Sequence, residues 1–302
     1  MSEVPPPIRK LVVIGLGLIG GSLAQAARER GLCERVIGIA RRQEVADKAV
    51  AMGVVDEACV SLESVASDLG DGDLIFIAVP TLSISRIVKK IRSCTSELVT
   101  VTDGASVKGS VLRDLKQIYG CVPPQFVLGH PIAGSEKSGV EASNPTLYVD
   151  HRVILTPCLE TEQSHIDRVT ALWQGVGAEV LTLEVEEHDE ILAATSHLPH
   201  AIAFSLVDTL AHDSHNQDIF RYAAGGFRDF TRIASSDAIM WRDIMLSNSD
   251  DVVASIDLFL NNLQRLKQLI ENKDSDELYQ VFTRAKKARD FFSECNKGKK
   301  LD

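Results

Sequence analysis

The chain has 302 residues, a formal net charge of −10, 45% hydrophobic residues and 25% charged residues. These are the proportions of an ordinary globular protein long enough for two domains with their own cores. The acidic balance excludes broad binding to nucleic acid or to an anionic membrane, both of which need a basic footprint. No segment approaches the ~20 apolar residues of a membrane span. The first seven residues lack the basic and apolar regions of a signal peptide, and six scattered cysteines without a C-x-x-C read as reduced thiols. A cytoplasmic protein is expected.

The first predicted strand, over residues 11–14, ends at Gly15, and Gly15, Gly17 and Gly20 form a G-x-G-x-x-G before a helix-like pattern. That context predicts a dinucleotide-binding turn. Gly15 makes the bend, Gly17 lets the backbone approach a pyrophosphate, and Gly20 lets helix and strand pack closely. The free N–H groups of the new helix, beginning at Leu18 and Ile19, then face the phosphates. The second strand, over 35–39, ends at Ala40 rather than at a carboxylate, and Arg41 and Arg42 follow. Two guanidiniums favour a 2′-phosphate and so NADP, with NAD the alternative.

Further strands are predicted over 74–79, 98–102, 126–129, 152–155 and 179–181. Their unbroken apolarity implies burial on both faces, hence a mostly parallel, doubly wound α/β sheet. From about Glu184 the strand pattern stops. One long helix over 186–212, bent near Pro199, precedes a Gly225-Gly226 break and helices near 239–246, 252–269 and 275–292. The expected organisation is a Rossmann-type domain over 8–182 and an all-helical domain over 183–294. Helical hairpins without a sheet commonly bury their apolar faces against a second copy, so a homodimer is expected.

Ligands of open α/β sheets lie beyond the carboxyl ends of the strands. The segments there carry Val79 and Pro80, Ser106 and Lys108, and the run Gly129-His130-Pro131 through Glu136. A histidine fixed directly after a strand can exchange a proton beside a nicotinamide, as oxidation of a carbinol requires. Ser106 is either a helix N-cap or a second cleft hydroxyl, and Lys108 either faces the cleft or is solvated. His197 and His200 share one helix face and suit a polar substrate contact better than a metal, since no third ligand stands at diagnostic spacing. Arg232 is suited to a carboxylate, with Asp229 three residues earlier to orient it.

Taken together, the segments G-L-G-L-I-G-G-S, D-G-A-S-V-K, G-H-P-I-A-G-S-E, T-S-H-L-P-H and G-G-F-R-D-F-T-R-I-A occur in the order of a known pattern. Over residues 8–292 the chain resembles the prephenate/arogenate (cyclohexadienyl) dehydrogenase family of tyrosine biosynthesis. The resemblance implies oxidative decarboxylation of prephenate or arogenate to 4-hydroxyphenylpyruvate or tyrosine, with hydride transfer to NAD or NADP. It implies that His130 is the catalytic histidine on the ring hydroxyl, that Ser106 shares this contact, and that Arg232 holds a substrate carboxylate with Asp229 as its orienter. It further implies that His200, with His197 nearby, lies along the substrate side chain, where tyrosine can bind as inhibitor. Glu136 is implied at the cleft entrance, and Trp241 as a residue reaching the cleft from a partner subunit. A different Rossmann-plus-helical reductase, acting on 3-hydroxyacids or imines, and a non-catalytic dinucleotide sensor are the alternatives by fold analogy.

Overall fold

In the computed structural model, which describes residues 8–135, 137–212 and 221–295, the first six strands form one parallel sheet. They are β1 (Ile8–Ile14), β2 (Cys33–Ile39), β3 (Glu57–Cys59), β4 (Leu74–Ile77), β5 (Thr100–Asp103) and β6 (Phe126–Val127). Their order is β3-β2-β1-β4-β5-β6. Alternate residues of the central strands feed two separate cores. Leu11, Val13, Leu74 and Phe76 join one with Leu23 and Trp173. Val12, Ile14, Ile75 and Ile77 join the other with Ile84 and Val101. A strand covered on both faces has no position for a polar residue, which is why these segments read as unbroken apolar runs. Each such fully buried side chain contributes about 1.5–3 kcal/mol.

Helices α1 (Leu18–Glu29), α2 (Gln43–Ala51), α3 (Glu63–Ala66), α4 (Ile84–Cys94) and α5 (Lys108–Tyr119) make the connections. Chain order reverses between β1 and β4, whose ends lie side by side with Ile14 opposite Ile77. Sheets of this kind bind ligands at such a reversal.

The expected single strand over 126–129 is two. The chain leaves the main sheet at Leu128, and β7 (Gly129–Ile132) enters a second sheet with β8 (Arg152–Leu155) and β9 (Glu179–Thr182). There β7 and β8 are antiparallel, and β8 and β9 parallel. The runs at 152–155 and 179–181 are therefore strands, but they do not extend the doubly wound series, and β9 is largely exposed. Helix α6 (Gln163–Gly175) links β8 to β9. Strand β3, three residues at the sheet edge, is too short and too polar to have stood out.

Beyond β9 every regular element among the described residues is helical. The expected long bent helix is α7 (Val185–Leu192), a π turn over Ala193–His197, and α8 (Leu198–Ala211). Pro199 has no N–H to return to the carbonyl of Thr195, so the distortion falls in the turn preceding it. Gly225 and Gly226 open a helix, α9 (Gly225–Thr231), rather than forming a break. Helices α10 (Ala238–Ser247), α11 (Ser249–Glu271) and α12 (Ser275–Cys295) follow. The Asp237 carboxylate caps α10, accepting the Met240 N–H at 2.8 Å. No helix among the described residues is long and apolar enough to cross a membrane.

Candidate active site

The glycine turn sits at the β1/β4 reversal, and each glycine has its own steric reason. Gly15 has φ +102°, and a Cβ there would lie 2.2 Å from the Ala78 carbonyl oxygen. A Cβ at Gly20 would lie 1.9 Å from the Gly15 oxygen and 2.9 Å from Val13. At Gly17, by contrast, a Cβ would meet nothing within 4 Å. This is open space beside the N-terminus of α1, where the first N–H groups lack intrahelical partners. The Tyr148 hydroxyl donates to the Ile19 carbonyl at 2.6 Å and pins that first turn. The side chains of Leu18 and Ile19 pack on the core, so these residues offer their N–H groups rather than their side chains.

A cleft of about 920 Å³ runs from this turn along the carboxyl ends of the strands, past Ala40, Arg41, Arg42, Val79 and Pro80. Arg41 and Arg42 are exposed on its wall, Arg42 at the start of α2. Lys48, Arg86 and Lys90, which no local pattern singles out, line the same cleft. Lys48 is paired with Glu141, and Lys90 with Glu63 at 2.9 Å. A long cleft with basic walls and a glycine-lined, donor-rich end fits a dinucleotide.

His130 lies on β7 and is 8% exposed. Its Nδ1 is 2.9 Å from Nε2 of His188 on α7. Nδ1 of His188 is 2.8 Å from Oδ1 of Asp189. The Asp189 carboxylate in turn accepts the N–H groups of Lys108 at 2.8 Å and Gly109 at 2.7 Å, at the start of α5. Burial, then the neighbouring His188, Lys108 and His197, holds His130 well below the ordinary imidazole range and so favours its neutral form. His188 and Asp189 escaped the sequence reading because they lie in the acidic run Glu184 to Glu190. Their signal was spacing: Val185, His188, Asp189 and Leu192 share one buried face of α7.

Lys108 neither faces the cleft nor meets solvent. It is fully buried, paired with Asp103 and donating to the Gly129 carbonyl, so it fixes the residue before His130. Ser106 lies half-buried between β5 and α5, and the N-cap position belongs to Val107, so the N-cap alternative for Ser106 is not realised.

His197 is fully buried on the π turn. Asn248 bridges it to α7: its Nδ2 donates to the Asp189 carbonyl at 2.9 Å and lies 3.3 Å from His197 Nδ1. Burial pushes the imidazole down to about 4. Its Nε2 has no hydrogen-bond partner among the described residues. His200 donates from Nδ1 to the Ser196 carbonyl at 2.9 Å and stacks on the Trp241 indole, with ring centroids 3.5 Å apart. Trp241 is buried between these rings and Phe204, and it lines an apolar groove between the helices.

Arg232 is exposed on the turn after α9, close enough that its charge lowers the His200 pKa. The Asp229 carboxylate lies 3.6 Å from Nε of the adjacent Arg228, both side chains being exposed. Glu136 lies outside the described residues. The structure thus gathers His130, His188, Asp189, His197 and Lys108 into one buried network, and His200, Trp241 and Arg232 beside it. Among the described residues no three His, Cys, Asp or Glu side chains are grouped as metal ligands would be.

The family model "Prephenate dehydrogenase, nucleotide-binding domain" matches residues 23–182, and "Prephenate dehydrogenase, dimerization domain" matches 184–284. The chain is 35% identical over 288 residues to a prephenate dehydrogenase of Bacillus subtilis, covering 93% of this chain and 75% of that one. It is 33% identical over 286 residues to a cyclohexadienyl dehydrogenase of Zymomonas mobilis, covering 93% and 95%. A crystal structure of A. aeolicus prephenate dehydrogenase with hydroxyphenyl propionate and NAD+ superposes with a TM-score of 0.88 at 40% identity, covering 95% and 99%.

Proposed function

This chain belongs to the prephenate dehydrogenase family, and we propose from that premise how its own residues perform the oxidation. The protein is an NAD(P)-dependent dehydrogenase of tyrosine biosynthesis, acting on prephenate, arogenate or both. The bound nicotinamide dinucleotide supplies the hydride acceptor. His130 takes the proton of the ring hydroxyl as the carbon it sits on is oxidised. The ring then loses its carboxylate as carbon dioxide, and the electron pair left behind makes it aromatic. The phenolic oxygen takes the proton back, so the base is restored in each turnover. Aromatisation drives the reaction, so orientation and a proton acceptor are the main demands on the protein.

Ser106 shares the hydroxyl contact. Arg232 holds a substrate carboxylate in this acidic chain, and His200 and His197 line the side-chain end, where tyrosine binds as a competitor. Residues 8–182 form the dinucleotide half and 183–294 the helical half. The cofactor is NADP by preference, with Arg41 and Arg42 on its 2′-phosphate. The active form is a cytosolic homodimer. An apolar groove of about 550 Å³ between α8, α10 and α11, lined by Phe204, Met245, Leu246 and Val253, supports that assembly. Leu246 and Val253 are more than half exposed there.

The observation that carries this reading is the neutral, buried His130 near the carboxyl ends of the strands, backed by His188 and Asp189. The test is absorbance at 340 nm with prephenate and arogenate, each against NAD and NADP. Turnover is expected with at least one pair, and loss of the NADP preference in an R41A/R42A variant. Silence in all four from folded, dinucleotide-binding protein refutes the reading. His130→Asn should lower kcat by on the order of 10²–10⁴ at near-normal KM.

A further inference from the structure

We propose that His188 and Asp189 are positioning residues that lock His130 in the tautomer whose Nε2 carries the free lone pair. The inference rests on the assignment of His130 as the base. It begins at Asp189, whose two carboxylate oxygens accept the backbone N–H groups of Lys108 and Gly109 at the N-terminus of α5. Two N–H donors and the positive end of a 12-residue helix hold that carboxylate as an anion.

The protons along the chain then follow from donor–acceptor rules. An anionic Oδ1 only accepts, so Nδ1 of His188, 2.8 Å away, carries a hydrogen. His188 is neutral, its burial outweighing the pull of Asp189, so its Nε2 is a bare acceptor. Nδ1 of His130, 2.9 Å from that nitrogen, must therefore be the donor. The remaining nitrogen of His130, Nε2, is left unprotonated and available to the substrate hydroxyl. A lone buried imidazole would be divided between two tautomers, only one of them a base at Nε2.

The same chain answers an electrostatic problem. The groups facing the two imidazoles are Lys108 from α5, Asp103 from β5, His197 from the π turn and Asp189 itself. Lys108 is paired with Asp103, which leaves Asp189 as the anion hydrogen-bonded to the histidine pair. When the substrate O–H bond breaks and an N–H bond forms at His130 Nε2, the positive charge reaches Asp189 through two hydrogen bonds. Nothing else is consumed, and the proton returns by the same route.

The test compares D189N, H188L and H188Q with the wild-type dimer, saturated with dinucleotide. In D189N the amide oxygen can hold the Oδ1 place, where it still accepts from Lys108 and His188, so the variant removes the anion and leaves both tautomers in place. Expected is a fall in kcat of about tenfold or more, with KM and dinucleotide affinity within about threefold. The acid limb of the kcat/KM profile should move to lower pH, because the imidazolium has lost its anion. H188L should be similarly impaired in kcat. H188Q, whose amide oxygen can still accept from His130 Nδ1, should recover to within about tenfold of wild type. Wild-type kcat with an unmoved acid limb in D189N or H188L, or an H188Q as poor as H188L, overturns the proposal. Nitrogen NMR of histidine-labelled wild-type protein tests it without any variant or any turnover. Hydrogens on Nδ1 of both His130 and His188 are expected, and a hydrogen on His130 Nε2 refutes the tautomer lock. Because that readout needs no substrate, it separates failure of the lock from failure of the dehydrogenase assignment.

Discussion

Replacing Lys108 with methionine keeps most of the side chain's volume and removes its charge. Both Lys108 and Asp103 are fully buried, so neither can recruit water once its partner is gone. Asp103 would keep only the backbone N–H groups of Ala105 at 3.0 Å and Gly129 at 3.3 Å. The Gly129 carbonyl would lose its ammonium donor. Breaking a buried pair from one side costs about 3–5 kcal/mol, because the other charge stays buried and unmatched. Against a total stability of about 5–15 kcal/mol, that is a large fraction. A D103N/K108M double variant, which removes both charges, should recover at least about 2 kcal/mol of the loss. The assay is urea unfolding at pH 7 and one fixed protein concentration, followed by the fluorescence of Trp173 and Trp241. A single variant within about 1 kcal/mol of wild type, or a double variant no better than the single, would refute this account of the pair.

Gly17→Ala should leave the urea midpoint unchanged, since its Cβ enters open space, yet weaken dinucleotide binding at least about tenfold. Gly20→Ala should lose both, and calorimetric titration beside thermal unfolding separates the two cases. Acid should destabilise the fold through histidines buried in the neutral form: His130, His165, His188, His197 and His200 all sit below the ordinary value. The unfolded chain binds the extra protons, so stability is complete above about pH 6.5 and falls as the pH drops toward 4. His197, at about 4, accounts for about 3 kcal/mol of this, and a flat urea midpoint between pH 7 and 5 would contradict it. Val253→Arg, which places a charge in the apolar groove, should convert dimer to monomer by light scattering, and an unchanged mass would move the interface elsewhere.

What could be read from the sequence was whatever a local steric or solvation rule dictates. The glycine turn was legible because Gly15 and Gly20 answer contacts within a few residues or across one strand pair, with Gly17 at its fixed spacing between them. The buried strands were legible because two covered faces leave no polar position. The departure at Leu128 was not, because an apolar run looks the same whether it stays in one sheet or passes to another. His130 showed itself by standing after a strand and before a proline. Its partners did not, because the inward face of α7 is set by packing on α5, far away in sequence. Lys108 was hidden for the same reason: only the fold supplies Asp103 and the Gly129 carbonyl.

The switch of sheets at Leu128 explains why the base needs the helical half. Had residues 126–132 continued as one strand of the parallel sheet, His130 would sit among neighbours fixed by the sheet alone. By leaving after β6, the chain carries His130 to a place where α7 meets the start of α5. The N-terminus of α5 is a natural anion site, and Asp189, from the other half of the molecule, occupies it. One ion-to-helix contact therefore joins the two halves and anchors the histidine pair. The helix that supplies its N-terminus to Asp189 also carries Lys108, which fixes the backbone of β7 through Gly129. On the proposed reading, the position and protonation of His130 are thus set from the same turn of helix. A shift of α5 large enough to release Asp189 would displace His130 as well, so the fold holds the base in working form only while its two halves are joined.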